Sequence, residues 1–255
     1  MNLFDLSNKS AIVTGGNGGI GLGMARGLAA AGAAIAVAGR NPEKNAAARK
    51  ELDALGSGKV ISVEVDVTNS ESVTRMVTDT VEQLGGIDIL VNNAGTNIRK
   101  RAEELPEDEW HTVINTNLTS AYLCSKACYP AMKAAGGGKV LNNGSMLSLF
   151  GSPWAPAYAA SKGGIVQLTK SLATAWAQDN IQVNCFLPGW IDTDLTRKAR
   201  QDVDGLHEHI LNRTPADRWG DANDFQGIAV FLASAASDFV TGTAIPIDGG
   251  FSVNI

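Results

Sequence analysis

The 255-residue sequence is poor in charge of either sign, with 21 Lys and Arg against 26 Asp and Glu and a formal net charge of -5. That balance excludes long-range attraction for nucleic acid or an anionic membrane, so any cationic contact with a ligand must be local. Long apolar runs are missing as well, and none approaches the roughly 20 residues that span a bilayer. The start lacks the basic-then-apolar pattern of a secretory signal, so a cytoplasmic setting is expected. Only three cysteines occur, at spacings that make no disulfide framework. Cys124 and Cys128, four apart in a helical stretch, read as small core residues rather than a redox pair. His207 and His209 stand two apart without partners, and no metal site is expected.

What is present is a regular alternation. Hydrophobic residues make up 44% of the chain, enough to bury a sizeable core. Short β-branched runs at Ser10–Thr14, Ala34–Ala38, Val60–Val65, Ile87–Val91, Lys139–Leu141, Ile181–Leu187 and Ala244–Ile247 read as strands. Most are apolar on both faces, as buried parallel strands are. Helical periodicity fills the intervals near Ile20–Ala31, Pro42–Leu55, Ser70–Leu84, Pro106–Ala135, Tyr158–Ala177 and Asp221–Ala233. Thr68-x-x-Glu71 fits a capping box, and Pro106 with three acidic residues after it suits a first helical turn. The pattern predicts an α/β fold of the Rossmann type, a doubly wound parallel sheet of about seven strands with helices on both faces. No linker or repeat interrupts it, so residues 1–255 read as one domain. A polar insertion at roughly 192–217, holding Arg197 and Arg200, suits a lid over a ligand crevice.

Thr14-Gly15-Gly16-Asn17-Gly18-Gly19-Ile20-Gly21 comes directly after the first strand and opens the first helix. In that place Gly15 makes the tight turn, Gly19 lets the backbone approach a pyrophosphate, and Gly21 lets helix and strand pack. The phosphates then meet free N–H groups at a helix N-terminus. The second strand ends in Gly39-Arg40, where NAD-specific sites usually place an acidic residue. An arginine there can pair with a 2′-phosphate, which favours NADP(H). The glycine loop holds no second basic residue, which leaves NAD(H) open.

Tyr158 and Lys162 stand four apart and share one face of a helix. A phenol with a pKa of about 10 is a poor base at neutral pH. A neighbouring ammonium and a positive nicotinamide ring should lower that value, so that Tyr158 can donate or accept a proton.

Taken together, the glycine loop, Asn92-Asn93-Ala94-Gly95, Ser145, Tyr158/Lys162, Pro188-Gly189 and the closing Ile247-Asp248-Gly249-Gly250 resemble the short-chain dehydrogenases/reductases over essentially the whole chain. The resemblance implies roles by position. Ser145, thirteen residues before Tyr158, steadies the substrate oxygen. Asn117 holds a water for proton relay from Lys162. Asp66-Val67 contacts adenine, Asn93, Ala94 and Gly95 shape the ribose pocket, and Pro188, Gly189, Ile191 and Thr193 flank the nicotinamide. Asn142-Asn143-Gly144 departs from the family pattern, which has a more apolar strand end there. The resemblance also implies a homotetramer built on the helices of Asn117 and Tyr158 and on the C-terminal segment.

Among relatives, Thr96-Asn-Ile-Arg99-Lys100-Arg101 looks most like the sugar-acid branch exemplified by gluconate 5-dehydrogenase. There an arginine at the Arg99 position binds substrate, and Arg99 is accordingly the expected carboxylate ligand. Lys100 and Arg101 read as solvated loop residues, and Trp154 and Trp190 as flanks of the substrate pocket, with core packing or a subunit contact as the alternative for either. The expected reaction is hydride exchange between NAD(P) and a secondary hydroxyl of a sugar acid or polyol. A 3-oxoacyl-thioester reductase uses the same catalytic residues and is the alternative; a non-catalytic dinucleotide-binding regulator is a third reading.

Overall fold

The computed structural model describes residues 2–55 and 58–254. Seven strands form one sheet: β1 (Ser10–Thr14), β2 (Ala34–Gly39), β3 (Val60–Glu64), β4 (Ile89–Asn92), β5 (Gly138–Asn143), β6 (Ile181–Pro188) and β7 (Ala244–Ile247). Their order is β3-β2-β1-β4-β5-β6-β7 and every neighbouring pair is parallel. The direction of winding reverses between β1 and β4, which opens a crevice beyond the carboxyl ends of those strands.

Nine helices surround the sheet among the described residues: α1 (Gly19–Ala30), α2 (Pro42–Asp53), α3 (Ser70–Leu84), α4 (Glu107–Ile114), α5 (Ser120–Ala134), α6 (Pro156–Trp176), α7 (Asp194–Asp202), α8 (Leu206–Arg213) and α9 (Gln226–Ala233). Alternate strand residues feed two cores. Val13, Ile35 and Val37 pack with Met24 and Leu28 of α1 on one face, where Phe186 and Phe225 meet edge to face at 5.9 Å. Ile12, Leu90 and Val140 pack with Met76 of α3 and Cys124, Cys128 and Met132 of α5 on the other. Burial pushes the Cys124 thiol up to about 12, which leaves it protonated and unreactive.

Four local features differ from the sequence-based expectation. The cap of α3 is Asn69, whose side chain accepts from Ser72 N at 2.9 Å, because the Thr68 hydroxyl is taken by Asp66 at 2.7 Å. The long helix expected over Pro106–Ala135 is broken by a π-helical turn at Asn115–Thr119. Such a turn inserts one residue and rotates the helix beyond it, and it tends to mark functional sites. Pro156 opens the helix that carries Tyr158, two residues earlier than periodicity suggests. The polar insertion is helical: Thr193 caps α7 through a reciprocal pair with Thr196, and α8 comes next.

Candidate active site

Close contacts at Gly16 and Gly21 of the glycine loop leave no room for side chains at those two positions. Gly15 and Gly19 adopt φ of 63° and 50°. A Cβ on Gly21 would lie 2.4 Å from both the Gly15 carbonyl and Asn93 Nδ2, so only glycine lets α1 rest on the loop. Gly18 caps α1 without any side-chain bond and the first turn carries no acidic residue. The N–H groups of that turn and the helix dipole therefore face the crevice, ready for an anion.

Side-chain amides tie this loop to the neighbouring strands. Thr14 Oγ1 donates to Val91 O at 3.1 Å and accepts from the N–H groups of Asn93 and Ala94 at 3.0 and 3.1 Å. Asn93 Nδ2 returns bonds to the carbonyls of Thr14 and Gly15 at 3.1 and 3.3 Å. On the far side Asn17 donates to the buried Asn45 at 2.6 Å, and Asn45 donates to Gly39 O at 2.8 Å. A Cβ on Gly39 would meet Asn17 Nδ2 at 2.6 Å. The place where an acidic residue would hold ribose hydroxyls is thus already filled.

Two hollows run along the crevice and share Gly15, Asn17, Lys44, Ala94 and Gly95. The first, about 1020 Å³, brings together Arg40, Asp66, Val67 and Lys44. Asp66 is held below the usual carboxylate range chiefly by its hydrogen bonds from Thr68, with a smaller contribution from Arg40. Sequence reasoning does not single out Lys44. It stands four residues after Arg40 in the first turn of α2, which the Pro42 start signal would place at the crevice. The second hollow, about 540 Å³, is lined by Ile20, Ser145, Tyr158, Lys162, Ile191 and Thr193 among others, together with Pro188 and Gly189.

Ser145 leaves β5 and starts a single 3-10 turn, its hydroxyl accepting from Leu147 N at 3.1 Å. Ser148 locks that turn to α6 by donating to the Lys162 carbonyl at 2.7 Å. Tyr158 and Lys162 project from the first turns of α6, with Lys162 almost fully buried. Burial pushes the Tyr158 phenol above its ordinary value; a hydrogen bond with Ser145 and the charge of Arg99 pull it back only in part. The expected lowering is therefore not produced by these side chains alone. Lys162 lies over the Tyr158 ring, 5.5 Å from its centroid, and donates instead to Asn143 O at 2.6 Å. Burial lowers the Lys162 ammonium to about 8.

Asn117 sits in the π-helical turn, almost fully buried. Its Oδ1 accepts from Thr96 N at 2.8 Å and its Nδ2 donates to Thr96 O and Ser161 Oγ at 3.0 Å each. The side chain thus pins the segment after Gly95 against α6. Two asparagine pairs link the ends of β4 and β5: Asn92 donates to Asn142 at 2.8 Å, and Asn143 donates to Asn93 Oδ1 at 2.9 Å.

The three cations after Gly95 separate cleanly. Lys100 pairs with Glu109 at 2.7 Å, and Arg101 pairs with Glu103 at 2.5 Å while lying 5.5 Å from the Trp154 ring centre. Arg99 acts on the Tyr158 phenol. Trp154 is 54% exposed. Trp190 packs edge to face on Trp219 at 5.6 Å and lines a separate hollow of about 220 Å³ with Thr214, Arg218 and Asp248. His207 is engaged there too, its Nδ1 accepting from Trp219 Nε1 at 3.1 Å.

A glycine-loop crevice at the switch point of a parallel sheet, opening onto Ser145, Tyr158 and Lys162, defines a dinucleotide-dependent oxidoreductase. A family model described as enoyl-(acyl carrier protein) reductase matches residues 15–252. The chain belongs to the short-chain dehydrogenase/reductase family and acts on CH–OH groups. It is 40% identical over its full length to a 2-dehydro-3-deoxy-D-gluconate 5-dehydrogenase of Formosa agariphila, covering 97% of that protein. It is 39% identical, over 97% of its length and 98% of the relative's, to a 3-oxoacyl-[acyl-carrier-protein] reductase of Chlamydia muridarum. A gluconate 5-dehydrogenase from Burkholderia cenocepacia, solved with NADP and tartrate, superposes with a TM-score of 0.94 at 38% identity, covering 100% of this chain and 99% of that one.

Proposed function

We propose that the protein is an NADP(H)-dependent dehydrogenase that interconverts a secondary hydroxyl and a ketone on a sugar acid. The observation that carries the substrate class is Arg99. In an acidic chain its positive charge acts on the Tyr158 phenol, at the centre of the candidate active site. A carboxylate is the group that a guanidinium at the mouth of such a site holds best. The carboxylate of tartrate in the Burkholderia enzyme is of the same chemical class.

The cofactor reading rests on fit. The glycine-rich loop, the open α1 N-terminus and the Arg40–Lys44 pair match a dinucleotide carrying a 2′-phosphate. When bound, the nicotinamide supplies or accepts the hydride. Tyr158 gives the proton to the substrate oxygen in reduction and takes it in oxidation, while Ser145 donates to that oxygen as charge develops. Lys162 holds positive charge beside the phenol, and Asn117, fixed between Thr96 and Ser161, holds a water that relays protons between Lys162 and solvent. Nearly equal identity to a 3-oxoacyl-thioester reductase does not decide the substrate; a cation beside Tyr158 and a polar α7–α8 lid suit an anionic polyol better than an acyl chain.

The reading extends to a single catalytic domain in the cytoplasm, assembled as a homotetramer through α5, α6 and the C-terminal segment. Exposed Tyr122 on α5, Leu149 and Trp154 just before α6, and Val253 near the C-terminus support the assembly. Sedimentation equilibrium at micromolar concentration should give four chains per particle, and a monomer would overturn it. The substrate assignment is tested by steady-state kinetics with sugar acids, the matching neutral polyols and 3-oxoacyl thioesters. The acids should give the highest kcat/KM; preference for the thioesters would overturn the reading.

A further inference from the structure

Asn143 is the last residue of β5 and reaches out in three directions. Its carbonyl accepts from Lys162 Nζ at 2.6 Å. Its Nδ2 donates to Asn93 Oδ1 at 2.9 Å. Its own Oδ1 is buried without a hydrogen-bond partner, and the residue lines the hollow that holds Ser145, Tyr158 and Lys162.

The orientation of this amide is forced by its neighbours. Asn93 points its NH2 at two carbonyls, Thr14 O and Gly15 O, which can only accept. Its oxygen must therefore face Asn143, and Asn143 must answer with a donor. The Asn143 oxygen is left turned away from the strand pair. One amide thus links the glycine loop, through Asn93, to the main-chain group that carries the catalytic ammonium. The neighbouring pair Asn92–Asn142 lies on the opposite face, tied to Ser125 and Thr169, and shares none of these contacts.

We infer that Asn143 is a positioning residue: its side chain anchors to Asn93 the carbonyl that holds Lys162, so the glycine loop and the ammonium are set as one unit. A lost anchor therefore alters both nucleotide affinity and the protonation of Lys162. This rests on the NADP(H) reading of the crevice.

The test is NADPH binding, measured by the fluorescence of the reduced nicotinamide between about pH 6 and pH 10, in the wild type, Asn143→Leu and Asn143→Asp. Both variants lose the donor to Asn93, and each should bind NADPH about tenfold more weakly. The pH at which affinity falls, as Lys162 loses its proton, should move in opposite directions. The leucine slackens the carbonyl that favours the ammonium and moves it down; a negative charge on the residue whose carbonyl holds the ammonium moves it up. The aspartate is isosteric and keeps the test intact where the leucine disturbs folding. Wild-type affinity, or a midpoint unmoved or moved the same way in both, would overturn the inference. No NADPH binding by the wild type would instead sink the cofactor reading.

Discussion

Lys162 donates to the Asn143 carbonyl at 2.6 Å while its ammonium stands 5.5 Å from the centre of the Tyr158 ring. The lysine is thus part of the strand end before it is part of the phenol's surroundings. Its pKa falls to about 8 through burial, whereas the phenol's rises through burial. Carbonyl reduction needs both protons in place, and the ammonium is the first to be lost as pH increases. In reduction, kcat/KM should therefore decline as pH rises through about 8. A profile flat beyond the lysine range would show that Lys162 stays charged in the free enzyme.

The same burial makes Lys162 a cost to the fold. Its folded pKa lies below the ordinary 10.5, so the cost is full below about pH 8 and is relieved as pH rises toward the unfolded value. A depression of that size corresponds to about 3 kcal/mol, and losing the bond to Asn143 offsets part of it. Lys162→Met should raise Tm near neutral pH by about 2–6 °C while reducing turnover more than about 100-fold. Calorimetry with matched kinetics checks both halves of this exchange.

Gly39 offers an unusual test of cofactor preference. Gly39→Asp supplies the acid that holds ribose hydroxyls, yet its Cβ meets Asn17 Nδ2 and breaks the Asn17–Asn45 bond. The substitution should lower stability by about 1–3 kcal/mol and weaken both nucleotides. Arg40→Ala, by contrast, should weaken NADP about 10- to 100-fold and leave NAD nearly unchanged. Equal losses for both cofactors would remove Arg40 from the phosphate.

Arg99 has two separable effects. Arg99→Gln should raise KM for sugar acids about 10- to 100-fold and leave neutral polyols within a factor of about 3. Removing a cation that lowers the Tyr158 phenol should also move the rising limb of oxidation to higher pH. Lys100→Gln, which breaks a pair with Glu109 instead, should do neither.

The strands and the glycine loop are legible in the sequence because each obeys local rules: two-sided apolar runs, and glycines where backbone must meet backbone. Contacts between distant segments are not. Thr68 spends its hydroxyl on Asp66 and leaves the cap to Asn69, Asn117 in the π-helical turn binds Thr96 and Ser161, and Asn142-Asn143 find partners fifty residues earlier. Trp190 has the sequence position of a pocket wall, and only the folded chain sets Trp219 beside it. Helix α7 is hidden by its polarity, since it carries few apolar residues to mark a period.

That Tyr158 exchanges the proton while NADP exchanges the hydride with a sugar acid can be measured directly. Absorbance of reduced nicotinamide is recorded as wild type and Tyr158→Phe are mixed with NADP and gluconate-like acids. Reduction by the wild type, falling by about 100-fold or more in the variant with NADP binding retained, is the predicted result. Turnover in Tyr158→Phe at the wild-type rate would contradict it.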